Sequence, residues 1–252
     1  MTLKRLYKEI ISLKNLKPSP QVNGLFEALV KKALDECDHE TLTLQERKNL
    51  NCVCSLAEYE LEKYWSEKVI SGEAHIEEFP YFSNYKALAR LEWHALQACS
   101  RHSDHKGLFV GGGPLPLTAI IFAQEYGIPM AVIDNDVRAV KLARAVVKRI
   151  GLERQIKILR GEAELFTKYK NYNLIVVAAL AGSTKTKKEN IFLWIKKNAA
   201  PGTHIIGRSS WGRRRLLYPE IPRSVYRIFE PIMRIHPHND IVNSIVLLRQ
   251  QE

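Results

Sequence analysis

A chain of 252 residues, 46% of them hydrophobic, can bury a substantial core, which excludes a small disulfide-stapled scaffold. Its net charge of +11 raises nucleic acid as a partner. The Lys and Arg residues, however, lie in scattered short runs such as "KTKK" (185–188) and "RRR" (213–215), without the interleaved aromatics of a stacking platform, so no nucleic-acid role is expected. The start "MTLKRLYKEIISLKNL" is basic and amphipathic, and no window approaches the roughly 18 apolar residues of a membrane span, so a soluble protein is expected. Cys37, Cys52, Cys54 and Cys99 form no CxxC pair and sit in helix-like contexts, which predicts free thiols in a reduced, cytoplasmic setting.

In chain order, residues 44–70 carry Leu50, Cys54, Ala57, Leu61, Tyr64 and Trp65 at three- and four-residue steps, the period of a helix with one buried stripe. A second helix begins near Ser83 and presents Tyr85, Leu88, Glu92, Ala95 and Cys99 on one face. From Gly107 the texture changes. The short runs "LFVG", "AVID", "IKIL", "NLIVVAAL" and "THIIGR" read as strands, with helices predicted between some of them at 115–126, 136–150 and 187–199. Such alternation predicts a parallel sheet covered by helices. The last two runs, "SVYRIFEPIMRI" and "DIVNSIVLLRQ", are separated only by "HPHN", too short for a crossover helix, so they should pair antiparallel. An α/β, Rossmann-like sheet ending in an antiparallel hairpin is the layout of class I S-adenosylmethionine-dependent enzymes.

"GGGPLPLT" (111–118) follows the first strand. Applying the GxGxxG spacing of dinucleotide loops from Gly111 gives Gly113 and then Pro116, so the third glycine is missing. Pro114 and Pro116 are expected to start the next helix rigidly while removing donors that a pyrophosphate would need. A phosphate-free nucleoside cofactor fits better. Asp134 and Asp136 after the second strand would serve ribose hydroxyls, and Glu162 after the third would meet an adenine amino group. Gly111, Gly113, Pro114, Leu115, Asp134, Asp136, Glu162, Ala178 and Leu180 are the candidate cofactor-binding positions.

Several segments, "FPYFSNYKALARLEWHAL" (79–96), "GGGPLPLT", "AALAG" (178–182), "RSSWGRRRLLYPEI" (208–221) and "HPHNDIVNSIVLLR" (236–249), resemble nicotianamine synthases in sequence and order. The resemblance covers roughly residues 57–249. It implies a helical cap (1–103) over a Rossmann-like S-adenosylmethionine domain (104–252). It also implies transfer of the 3-amino-3-carboxypropyl group from S-adenosylmethionine to an amine, which is another S-adenosylmethionine or an amino acid, with release of 5′-methylthioadenosine. Opine-metallophore synthesis using histidine, cyclisation to azetidine-2-carboxylate and ordinary N-methyl transfer are the alternatives.

Such chemistry needs a base for the protonated amine and cations for substrate carboxylates. Glu62, beside the Leu61–Trp65 stripe and one helical turn from Glu58, and Tyr85, at the start of the next helix, fall where the resemblance implies the reactive pair. Glu92, on an apolar face, should hold an arginine or the substrate amine. Arg208, at a strand end, and Arg214 are candidate carboxylate ligands, and Tyr218 a candidate lining of the acceptor pocket. Arg213 and Arg215 read as surface charge. His236 with His238, and His102 with His105, raise a metal, but spacing places no third ligand, and none is expected.

Overall fold

The computed structural model describes residues 1–100, 104–182 and 184–251. Helices α1 (Leu3–Ile11), α2 (Pro20–Leu34), α3 (Leu44–Ser71) and α4 (Phe82–Cys99) come first. Thr43 and Glu46 close a capping box at the start of α3, and Gly72, in the left-handed region at φ 84°, ends it.

Strands β1 (Gly107–Val110), β2 (Met130–Asp134), β3 (Ile156–Arg160), β4 (Leu174–Val177) and β5 (His204–Ser209) alternate with α5 (Leu117–Tyr126), α6 (Val137–Arg149) and α7 (Lys185–Asn198). A short helix, α8 (Val225–Ile228), and strands β6 (Glu230–Ile235) and β7 (Ser244–Arg249) complete the order. The seven strands run β3-β2-β1-β4-β5-β7-β6, with β7 antiparallel to both neighbours and the other pairs parallel. The expected α/β sheet with a C-terminal antiparallel hairpin is present.

Alternate strand residues feed two apolar layers, as the two-residue period of a strand requires. Phe109, Val132, Val176 and Leu247 pack with α4, α5 and α6 on one face, while Val110, Ile133, Val177 and Val246 pack with α7 and α8 on the other. Leu88 and Leu96 of α4 thus share a cluster with the sheet. A third cluster joins Leu6 and Leu29 of α1 and α2 to Leu50 of α3 and to Leu216 and Leu217.

Three local expectations change. "SVYRIFEPIMRI" is divided: Val225 and Phe229, four apart, both bury into the second layer as a helical turn does, and only Glu230–Ile235 is strand. On α3, Tyr64 is exposed, while Glu62 and Ser66 take buried positions in the lower turns. Arg213 is no surface charge: its guanidinium bonds the carbonyls of Lys32, Asp38 and Glu40 and pairs with Asp38 at 3.2 Å, tying the end of α2 to the 212–216 turn.

Candidate active site

The parallel strands direct their carboxyl ends at a cavity of about 640 Å³, the place where open α/β sheets hold ligands. Gly111 and Gly113 carry positive φ, 81° and 62°. Both conformations favour glycine. A Cβ at Gly111 would meet the Ala181 Cβ at 3.0 Å, so this turn runs tight against the loop after β4. Pro114 and Pro116 lie before the helix rather than in it: α5 starts at Leu117, with Pro116 as its cap. The Pro114 carbonyl accepts the buried Ser66 hydroxyl at 3.0 Å, which docks α3 on the turn.

Two carboxylates of the protein face this turn. Asp134 accepts the Gly113 N–H at 2.9 Å and the Asp136 N–H at 2.9 Å. The Leu115 N–H draws the Glu62 carboxyl down, and a Cβ on Gly113 would collide with the Glu62 carboxylate. With the Gly113 N–H given to Asp134, the Gly111 N–H to the Ile133 carbonyl and no N–H on Pro114 or Pro116, the turn has fewer donors for a phosphate than a dinucleotide loop. Burial pushes the Asp134 carboxyl up, against the two N–H bonds that draw it down.

Glu58 sits one turn before Glu62 on α3. Its Oε1 accepts the Tyr85 hydroxyl and its Oε2 the Tyr218 hydroxyl, each at 3.0 Å. Burial raises the Glu58 carboxyl, and the two phenolic bonds and Arg208 oppose the rise. Glu62 stands well above the carboxylate range because burial and then the Glu58 charge disfavour its ionised form. Tyr85 and Tyr218 are likewise pushed well up, by burial first and Glu58 second, and stay hydroxyl donors.

Arg208 closes the back of the cavity. It is 4% exposed and gives Nε and Nη2 to the fully buried Glu92 carboxylate at 2.7 and 3.0 Å, with a further Nη2 bond of 2.7 Å to Thr118. Its guanidinium carbon lies 5.9 Å from the Tyr85 ring centre and 5.4 Å from that of Phe109. Burial works against the Arg208 charge, but Glu92 outweighs it and holds the guanidinium above its ordinary range.

A second, apolar cavity of about 370 Å³ lies between α2, α3 and α4. It shares Glu58, Tyr85, Tyr218 and Asn243 with the first as a common wall.

Of the residues expected from sequence, Glu62, Tyr85, Gly111, Gly113, Pro114, Leu115, Asp134, Glu162, Ala178, Leu180, Arg208 and Tyr218 line the first cavity. Glu162 is exposed at its rim, accepting from Asn135 at 3.2 Å. Three do not line it. Asp136 caps α6 through the Arg138 and Ala139 N–H groups, Glu92 lies behind Arg208, and the buried Arg214 bonds Glu36 and the Asn239 carbonyl. Glu58 and Asn243 line the first cavity and were not foreseen as site residues. Only Glu58 left a trace in sequence, one helical turn from Glu62. His236 stacks on Trp211 and bonds the Ser244 hydroxyl, and His238 pairs with Glu36. No His, Cys, Asp and Glu group able to hold a metal occurs among the described residues, and His102 lies outside them.

A glycine turn at the carboxyl ends of such a sheet, faced by a carboxylate and phenol cluster, is the arrangement of an enzyme built on the S-adenosylmethionine-dependent transferase fold. The family model described as nicotianamine synthase protein matches residues 1–252. Nicotianamine synthase 2 of Arabidopsis thaliana is 33% identical over 97% of this chain and 81% of its own length, and the nicotianamine synthase of Solanum lycopersicum 32% identical over 97% and 81%. The chain belongs to the nicotianamine synthase family. Its fold matches that of MtNAS, solved in complex with MTA and tNA, at a TM-score of 0.86 and 22% identity over 99% of this chain and 97% of that one. N-methyltransferase NodS from Bradyrhizobium japonicum WM9, solved with S-adenosyl-L-homocysteine, matches at 0.51 and 18% identity over 76% of this chain and 99% of that one. No described helix is long and apolar enough to cross a membrane.

Proposed function

We propose that this chain transfers the 3-amino-3-carboxypropyl group of S-adenosylmethionine to an amine, releases 5′-methylthioadenosine, and so makes nicotianamine or a nicotianamine-like metallophore. Family membership supports the reaction class. The observation that carries the reading in the structure is Glu58, holding the Tyr85 and Tyr218 hydroxyls in the wall common to the two cavities, with Glu62 one turn away at the glycine turn.

A sulfonium offers three carbons to a nucleophile, so placement decides which reacts. Attack by the acceptor nitrogen at the methionyl γ-carbon forms the C–N bond while the C–S pair returns to sulfur, which leaves as the neutral thioether. The nitrogen must first lose a proton. A carboxyl lifted out of the ordinary range accepts that proton near neutral pH, and Glu62, beside the turn, with Tyr85 orienting the amine, fits the task. Asp134 and Glu162 would hold ribose and adenine, with Gly111, Gly113, Pro114, Leu115, Ala178 and Leu180 around them. Arg208, whose Nη1 takes no part in the Glu92 and Thr118 bonds, is the ligand for a substrate carboxylate.

The second cavity provides room for a separate acceptor, with Tyr218 in the wall it shares with the first, which favours intermolecular transfer over cyclisation of one molecule on itself. Product identification by mass spectrometry after incubation with S-adenosylmethionine, alone and with amino acids, tests the proposal. Release of 5′-methylthioadenosine together with condensed aminocarboxypropyl units supports it. S-adenosylhomocysteine as the sole nucleoside product refutes it, and free azetidine-2-carboxylate as the sole amino acid product moves the reading to a cyclase.

A further inference from the structure

Lys188 belongs to the first turns of α7 and is only 2% exposed. Among the described residues its ammonium pairs with no carboxylate, and burial alone pulls its pKa down to about 7. Its place near a helix N-terminus adds a second electrostatic penalty. A buried, unpaired cation in the positive field of a helix end lowers stability, and proteins retain such groups chiefly where a site needs them.

The ammonium donates to the carbonyls of Ala178, at 3.4 Å, and Ala179, immediately after β4. Gly182, at φ 79°, folds the other end of the same loop onto the helix: a Cβ there would meet the Lys188 backbone nitrogen at 2.7 Å. The loop is therefore bonded to the Lys188 side chain at one end and packed against its backbone at the other. All five of its residues, 178 to 182, line the first cavity, and Ala178 and Ala181 are the neighbours that a Cβ on Gly111 would touch.

We propose that Lys188, which does not line the cavity, is a positioning residue for S-adenosylmethionine: it draws two carbonyls toward α7 and so fixes the 178–182 wall against the glycine turn. The inference rests on S-adenosylmethionine being the ligand of this cavity. Lys188 touches neither substrate nor reacting atoms, so it acts on binding and not on the chemical step.

Calorimetric titration of the full chain with S-adenosylmethionine, combined with steady-state kinetics and thermal denaturation, tests the assignment. Lys188→Met keeps the stem and removes charge and donors. It is expected to raise Kd and KM for S-adenosylmethionine about tenfold, leave kcat within about twofold, and melt no lower than the parent. Lys188→Arg, which restores charge and donors, is expected to recover affinity to within about threefold. Should the methionine variant not fold, Lys188→Gln, an amide donor without the charge, is expected to lose about threefold in affinity. A Kd unchanged in the folded neutral variant, or a loss of affinity matched by a lower melting temperature that Lys188→Arg does not relieve, overturns the inference. Failure of the parent protein to bind S-adenosylmethionine overturns the functional reading and this inference together.

Discussion

Glu58 and Tyr85, 27 residues apart in sequence, are joined by a 3.0 Å hydrogen bond in which the phenol donates and the carboxylate accepts. The bond crosses from α3 to α4 and fixes the Tyr85 hydroxyl in the wall between the two cavities. Tyr85→Phe retains the ring beside Arg208 and removes only the hydroxyl. The rate of 5′-methylthioadenosine formation is expected to fall about 100-fold. Calorimetric affinity for S-adenosylmethionine is expected to stay within about twofold, because the ring and the glycine turn are unaltered.

Glu58 and Glu62 lie one helical turn apart, so their proton release is expected to be linked. Each carboxyl is raised by burial, and Glu62 further by the Glu58 charge. The pH profile of kcat/KM is therefore expected to show an acid limb whose inflection lies above the ordinary carboxylate range. Removing the pair in Glu58→Gln/Glu62→Gln should abolish that inflection along with most of the activity.

The same shift fixes the sign of a stability effect. In the folded protein Glu62 holds its proton to higher pH than in the unfolded chain, so its contribution is present below the unfolded pKa and is lost as pH rises through the folded one. At pH 7 the carboxyl is ionised in the unfolded chain, a form the folded site disfavours, so Glu62→Gln is expected to melt higher than the parent, by roughly 3 °C per 1 kcal/mol gained. The difference should shrink toward zero as pH falls below the unfolded carboxylate range. Thermal scans across pH check it. A variant that melts lower at pH 7 would contradict the assignment of Glu62 as a strained acid.

The Glu92–Arg208 pair is buried on both sides, 0% and 4% exposed. Breaking one side leaves an uncompensated charge in the core, so Glu92→Ala is expected to cost about 3–5 kcal/mol in denaturant unfolding. The double variant Glu92→Leu/Arg208→Met should recover most of that stability. It should not recover turnover if Arg208 holds a substrate carboxylate as proposed. Recovery of both would remove Arg208 from the site.

Gly113→Ala tests the turn. Its φ of 62° disfavours a side chain by about 1 kcal/mol, and the added Cβ strikes the Glu62 carboxylate. Affinity for S-adenosylmethionine is expected to drop about tenfold, with a smaller effect on melting, measured by calorimetry and thermal denaturation.

The sheet was readable because its signals are local. Apolar runs such as "LFVG" and "AVID", spaced by helical stretches, define the parallel strands, and the short "HPHN" link dictates the antiparallel hairpin. "SVYRI" misled because β-branched and aromatic residues look alike in a strand and in one buried helical turn; the burial of Val225 against Phe229 decides it, and burial is a tertiary property. The glycine turn, Asp134, Tyr85 and Arg208 were legible as candidates, and all of them line the first cavity. The Glu92–Arg208 pair spans 116 positions and the Glu58–Tyr218 bond 160, so no spacing rule could join them. Asp136 and Arg214 have residue types that a site needs but do not line the cavity: a helix cap and a link to Glu36 engage them.

The choice of carbon on the sulfonium is the central claim, and S-adenosylmethionine labelled with carbon-13 in its methyl group tests it most directly. The account predicts that all of the label remains in 5′-methylthioadenosine and none enters the amine product. Label appearing in the product, with S-adenosylhomocysteine as the nucleoside released, would contradict it.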